Sequence, residues 1–113
     1  MIRVALKDTL SGKFVLNQEH DSGESAWETA LQDAEEFFDQ NFQSFRDGSP
    51  RDFLLYFMSS SQPPMAAKVT LSLQESPQES PAGETAAYAR MLKFELQVDM
   101  PTPVELGEFP ALQ

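Results

Sequence analysis

The chain contains no cysteine, which removes disulfides, thiolate metal sites and thiol nucleophiles together. Its one histidine is His20, so a nucleophile–imidazole pair has a single place to be built. No stretch approaches the roughly 20 apolar residues needed to span a bilayer. The opening run Met1-Ile2-Arg3-Val4-Ala5-Leu6-Lys7-Asp8 carries charge too early for a secretory segment. The expected compartment is therefore the cytoplasm, whether the gene belongs to a cell or to something infecting it. Positive charge is scarce as well: 8 Lys and Arg stand against 18 Asp and Glu, a net charge of −10. The cations Arg3, Lys7, Lys13, Arg46, Arg51, Lys68, Arg90 and Lys93 are scattered, with no local basic patch. Direct binding to nucleic acid or to an anionic membrane is not expected from such a distribution.

What remains is a chain of 113 residues, 41 % hydrophobic, with nine phenylalanines. That is enough apolar surface to offset chain entropy in one modest domain. Ile2, Val4 and Leu6 alternate with Arg3, Ala5 and Lys7, which predicts a half-buried strand. Asp8-Thr9-Leu10-Ser11-Gly12 reads as a turn into a second strand at Lys13-Phe14-Val15-Leu16-Asn17, making a hairpin. Gln18 to Glu24 reads as a polar loop. Ser25 followed by Glu28 fits a capping box. Trp27, Ala30, Leu31, Ala34, Phe37, Phe38, Phe42 and Phe45 then recur at helical spacing within an arc of about 140°. The helix is expected over about residues 25–46, with Gly48 and Pro50 stopping it.

Phe53-Leu54-Leu55-Tyr56-Phe57-Met58 is a continuous apolar run of strand length, expected to be central and buried on both faces. Ser59 to Pro64 breaks regular structure. Val69, Leu71 and Leu73 alternate with polar neighbours, and Tyr88 to Val98, with Leu92, Phe94, Leu96 and Val98 on one face, supplies a partner strand. Between them the tandem repeat Gln74-Glu75-Ser76-Pro77-Gln78-Glu79-Ser80-Pro81 reads as part of a mobile loop over about 74–87. The predicted architecture is α+β: a two-layer sandwich in which an antiparallel sheet, β-β-α-β-β-β along the chain, carries one long amphipathic helix. Residues 1–99 form this domain, and 100–113 form a Pro-rich tail without regular structure. The tail keeps Val104, Leu106, Phe109 and Leu112 for docking on an apolar groove.

Candidate chemistry is sparse. His20 lies among Glu19, Asp21 and Glu24, but the spacing matches no metal-ligand pattern, and the residue reads as a solvated loop position. Ser59, Ser60 and Ser61 have no nucleophile-elbow context. Ser11-Gly12-Lys13 lacks the upstream glycine and following helix of a phosphate loop. No enzyme activity, metal or cofactor is expected. The aromatic stripe reads as core, with Phe37 or Phe42 at its edges able to stay partly exposed.

The charged helix face is the informative feature. From Phe14 to Phe45 there is no lysine or arginine, while Glu19, Asp21, Glu24, Glu28, Asp33, Glu35, Glu36 and Asp39 fall in that window. Solubilising helices commonly pair Glu with Lys one turn apart, and this one accepts like-charge repulsion instead. Carboxylates spaced along a helix can stand in for phosphates in a protein's basic groove. In size, charge and want of catalytic residues the chain is similar to the small acidic proteins with which phages and mobile elements block nucleic-acid machinery, such as anti-CRISPR and anti-restriction proteins. The expected function is non-catalytic protein binding: an acidic inhibitor, monomer or homodimer, whose partner carries a basic nucleic-acid-binding groove. The expected contact residues are Glu28, Glu35, Glu36 and Asp39, with Glu24 and Asp33 at the rim. The alternative is an assembly subunit that associates through a sheet edge or the apolar tail.

Overall fold

The computed structural model describes residues 1–22, 25–41, 50–76 and 91–110, without the side chains of 73–76 and 91–94. The chain is α+β, and its described residues form strands β1 (Ile2–Asp8), β2 (Phe14–His20), β3 (Arg51–Ser59), β4 (Met65–Ser76), β5 (Met91–Val98) and β6 (Thr102–Pro103) and the α-helix α1 (Ala26–Gln40). All pairings are antiparallel, in the order β2-β1-β3-β4-β5, and β6 pairs with the stretch of β4 that β5 leaves free. The expected element order therefore holds.

Side-chain alternation sorts the sheet into two faces. One presents Ile2, Val4, Leu6, Phe53, Leu55, Phe57, Val69 and Leu71 to the buried stripe of α1, where Ala26, Ala30, Ala34 and Phe38 meet them. Phe38 packs on Phe53 at 5.0 Å between ring centroids, and Trp27 on Phe57 at the same separation. Alanines at 26, 30 and 34 let the helix axis approach the sheet closely, while the larger rings close the gap further along. The opposite face carries a smaller cluster of Ala5, Tyr56, Ala66 and Phe109.

That second cluster explains why β1 is more deeply buried than its sequence predicts. Arg3 and Ala5 alternate with the core residues yet are themselves buried. β1 lies between β2 and β3, and the C-terminal segment folds back across its other face. The tail is thus docked, and it contains regular structure after all: β6 pairs Met65 with Pro103 and Ala66 with Thr102, and a 3-10 turn spans Leu106–Glu108. Prolines restrict such pairing but do not forbid it at a sheet edge.

Three boundaries depart from expectation. β2 continues through Gln18, Glu19 and His20 in full register with β1 instead of ending at Asn17. β4 extends to Ser76, which pairs with Met91, so 74–76 are strand and not loop. The helix ends at Gln40, where Asn41 leaves helical geometry and its side-chain Nδ2 donates to the Phe37 carbonyl at 2.8 Å. Phe42, Phe45 and Arg46, most of the expected loop, and Tyr88 and Leu112 lie outside the described residues. At the helix start only half of the capping box forms. Ser25 Oγ accepts from the Glu28 N–H at 3.4 Å, while the Glu28 carboxylate stays exposed. The β1–β2 turn needs Gly12, the one described residue with positive φ, at 73°. Its N–H donates to the Asp8 carbonyl at 2.8 Å.

Candidate protein-interaction face

Helical periodicity divides the acidic residues of α1 into two groups. At 100° per residue, Glu28, Glu35 and Asp39 fall within about 40° of one another, and Glu36 lies beside them. All four are exposed. The three aligned carboxylates extend over roughly 16 Å of helix at 1.5 Å per residue. Among the described residues no lysine or arginine lies within ion-pair distance of any of them. Their one described side-chain hydrogen bond within α1 brings no positive charge: the Gln40 amide Nε2 donates to Glu36 Oε1 at 3.3 Å.

Of the nearest cations in sequence, Arg46 lies outside the described residues and none of the others pairs with an acid of α1. Lys7 projects from the sheet face opposite the helix and sits 5.7 Å from the Phe14 ring. Arg51 is bonded to Asp8 and stacks against Phe53. Lys13 is exposed at the hairpin turn, and no acid of α1 pairs with it. Arg3 and Lys68 also project from the far face, Lys68 pairing with Asp52 at 3.6 Å. Alternation thus segregates charge: the described strand cations mostly leave one side of the sheet, and the helix carboxylates cover the other.

Asp33 departs from its expected place at the rim. It is 8 % exposed, and its Oδ2 meets His20 Nε2 at 2.6 Å. Two sequence signals point to this pairing. Asp33 is one residue short of Ala34 and seven beyond Ala26, which places it on the edge of the buried stripe. Continued alternation along β2 puts His20 on the same face as Leu16, toward the helix. His20 is therefore a strand-end residue, 33 % exposed, that clasps β2 to α1, and not a residue of a solvated loop. Its neighbour Glu19 pairs opposite Arg3 and leaves the other face of the strand. No group of three or more His, Asp or Glu with the geometry to hold a metal occurs among the described residues. Glu24 lies outside them.

An open groove runs beside the helix, lined by His20, Gln32, Asp33, Glu35, Glu36 and Asp39 with Phe38 and Leu96 as its apolar part. The periodicity of α1 alone does not reveal it, because Leu96 arrives from β5 on the far side of the sheet order. With carboxylates on the rim and a ring and an aliphatic side chain below, the groove suits cationic side chains with apolar stems, as arginine and lysine have. No described helix is long and apolar enough to cross a membrane. The chain matches no family model, no curated protein and no solved structure.

Proposed function

We propose that the chain is a non-catalytic protein-binding protein, an acidic inhibitor of the phage or mobile-element type that acts in the cytoplasm. Its α1 carboxylates occupy a positively charged nucleic-acid-binding groove of the target and exclude DNA or RNA from it. The observation that carries this reading is the row of exposed carboxylates at Glu28, Glu35, Glu36 and Asp39, unneutralised by any described cation. Glu28 in the first turn is favoured by the helix dipole. But like charges one turn apart, as at Glu35 and Asp39, cost stability, so that part of the row has no benefit inside the helix. Its benefit lies in an external partner. Asp33 is not part of the contact, because its carboxylate is already held by His20.

The binding is steered by charge, so association is fast at low salt and slows as counterions screen the field over about 10 Å. The direct test is the double charge reversal Glu35→Lys with Asp39→Lys, assayed for binding to the isolated partner and for displacement of its nucleic acid. A loss of at least about tenfold in affinity is expected, since each close charge contact contributes on the order of 1 kcal/mol or more. Unchanged affinity would dispose of the proposal. The assembly alternative draws less support. The tail spends Phe109 on its own sheet, and the β2 edge is interrupted by a bulge at Val15, between the Leu6–Leu16 and Lys7–Phe14 pairs, which discourages further pairing.

A further inference from the structure

The sheet face away from α1 carries a contact that the acidic ridge does not share. Ala5 and Ala66 leave a shallow basin beside Tyr56, and the Phe109 ring fills it, 7 % exposed, with its centroid 5.5 Å from that of Tyr56. Ahead of the ring, β6 adds to the edge of β4, and the Val104 N–H donates to the Pro64 carbonyl at 3.0 Å. Behind it, the Arg3 guanidinium lies 5.3 Å from the Phe109 ring and donates to the Pro110 carbonyl.

Arg3 is the unusual member. It is 8 % exposed, has no carboxylate at ion-pair distance among the described residues, and its Nε finds no acceptor. A guanidinium buried on such terms is costly unless a matching group sits against it, and the C-terminal segment supplies a carbonyl and a π face. Between its anchors that segment is open to solvent from Glu105 to Glu108, with Leu106 57 % exposed. It is held as an extended peptide ligand is held: main-chain pairing at a sheet edge, one aromatic anchor in a pocket, and a polar contact that fixes register. Glu105 and Glu108 give the segment its negative charge, and Glu108 lies near enough to Tyr56 to act on its hydroxyl.

We propose that this face is a peptide-binding groove, occupied in the resting chain by residues 102–110, which accepts in trans an extended acidic segment bearing an aromatic residue followed by proline. The partner's chemistry is that of the present occupant: a strand to pair with Pro64–Ala66, a ring for the alanine-floored basin, and a carbonyl for Arg3. The groove lies across the sheet from α1, so it stands or falls independently of the acidic-ridge reading.

A tethered segment competes at an effective concentration on the order of millimolar. A free peptide therefore loses to it until the intramolecular anchor is weakened. The test uses the full-length chain carrying Phe109→Ala and a labelled peptide, Thr-Pro-Val-Glu-Leu-Gly-Glu-Phe-Pro, followed by fluorescence anisotropy. The variant should bind at least about tenfold more tightly than the native chain, and adding Arg3→Met should abolish binding. Equal binding by native chain and variant, or none by a variant whose Trp27 emission and circular dichroism remain native, would overturn the proposal. Should Phe109→Ala fail to fold, amide exchange on the native chain decides. Millimolar peptide should strip protection from the Val104 N–H, and unaltered protection refutes the groove. A concentration-dependent dimer that exchanges these segments would overturn the free-peptide partner in favour of a second copy.

Discussion

The clasp between His20 and Asp33 decides which acids of α1 are free to meet a partner, and it is open to measurement. The perturbations are His20→Gln, Asp33→Asn and the double variant, each unfolded in urea with the emission of Trp27, the single tryptophan, as probe. Trp27 sits 5.0 Å from Phe57 in the helix–sheet interface, so its signal reports separation of the two layers. A hydrogen bond to an ionised group contributes about 1.5–3 kcal/mol where both partners are buried. Here Asp33 is 8 % exposed but His20 is 33 % exposed, and solvent on the imidazole side screens the interaction. A coupling energy of about 1–2 kcal/mol is therefore expected from the cycle, inside the range for residues in contact. Asp33→Asn should cost more alone than His20→Gln, because the helix-side position is the buried one. Moderate salt should change the coupling little, in contrast to the exposed ridge. Coupling below about 0.3 kcal/mol, the scatter of independent sites, would refute the clasp and return Asp33 to the outward row.

Three further outcomes follow from the same coordinates. Phe38→Ala, which empties a fully buried site against Phe53, should cost about 3–5 kcal/mol in urea unfolding; a loss under about 1 kcal/mol would mean that α1 does not seat on the sheet through this ring. Gly12→Ala should cost about 1–2 kcal/mol from backbone geometry alone, because φ is 73° and nothing lies within 4 Å of an added Cβ; an unchanged Tm would show that the turn adopts another conformation. Burial, and secondarily the Glu108 charge, raise the Tyr56 pKa above 10.0. Above pH 10 the unfolded chain loses this proton while the folded chain keeps it, so stability falls as pH rises through the folded value. Tyr56→Phe should flatten that decline, and an identical alkaline profile in the variant would count against a buried phenol.

Much of the fold was legible because two periodicities are cleanly written. Alternation at Ile2, Val4 and Leu6 and at Val69 and Leu71, and the three-and-four spacing from Trp27 to Phe38, each require a buried face, and a helix stripe laid on an antiparallel sheet buries both at once. The failures fall where a residue's environment is set by distant chain. Gln18-Glu19-His20 looks like loop on composition, yet pairing with Ile2, Arg3 and Val4 makes it strand. Arg3 reads as a solvent-facing strand residue until a segment more than a hundred positions away covers it. Asp33 reads with the outward acids on charge alone, although helical phase places it at the edge of the stripe, where it is 8 % exposed.

The sequence by itself determined the element types, the amphipathic helix α1, the excess of carboxylates and their phase around it, since these depend on local geometry and composition. Only the tertiary structure decided the strand order, the closure of Asp33 on His20, the contacts of Lys7 with Phe14 and of Arg51 with Asp8, and the docking of Phe109 over Arg3. Each of those is a contact between residues remote in the chain, chosen by which surfaces the whole fold can bury together, and no local periodicity encodes that choice.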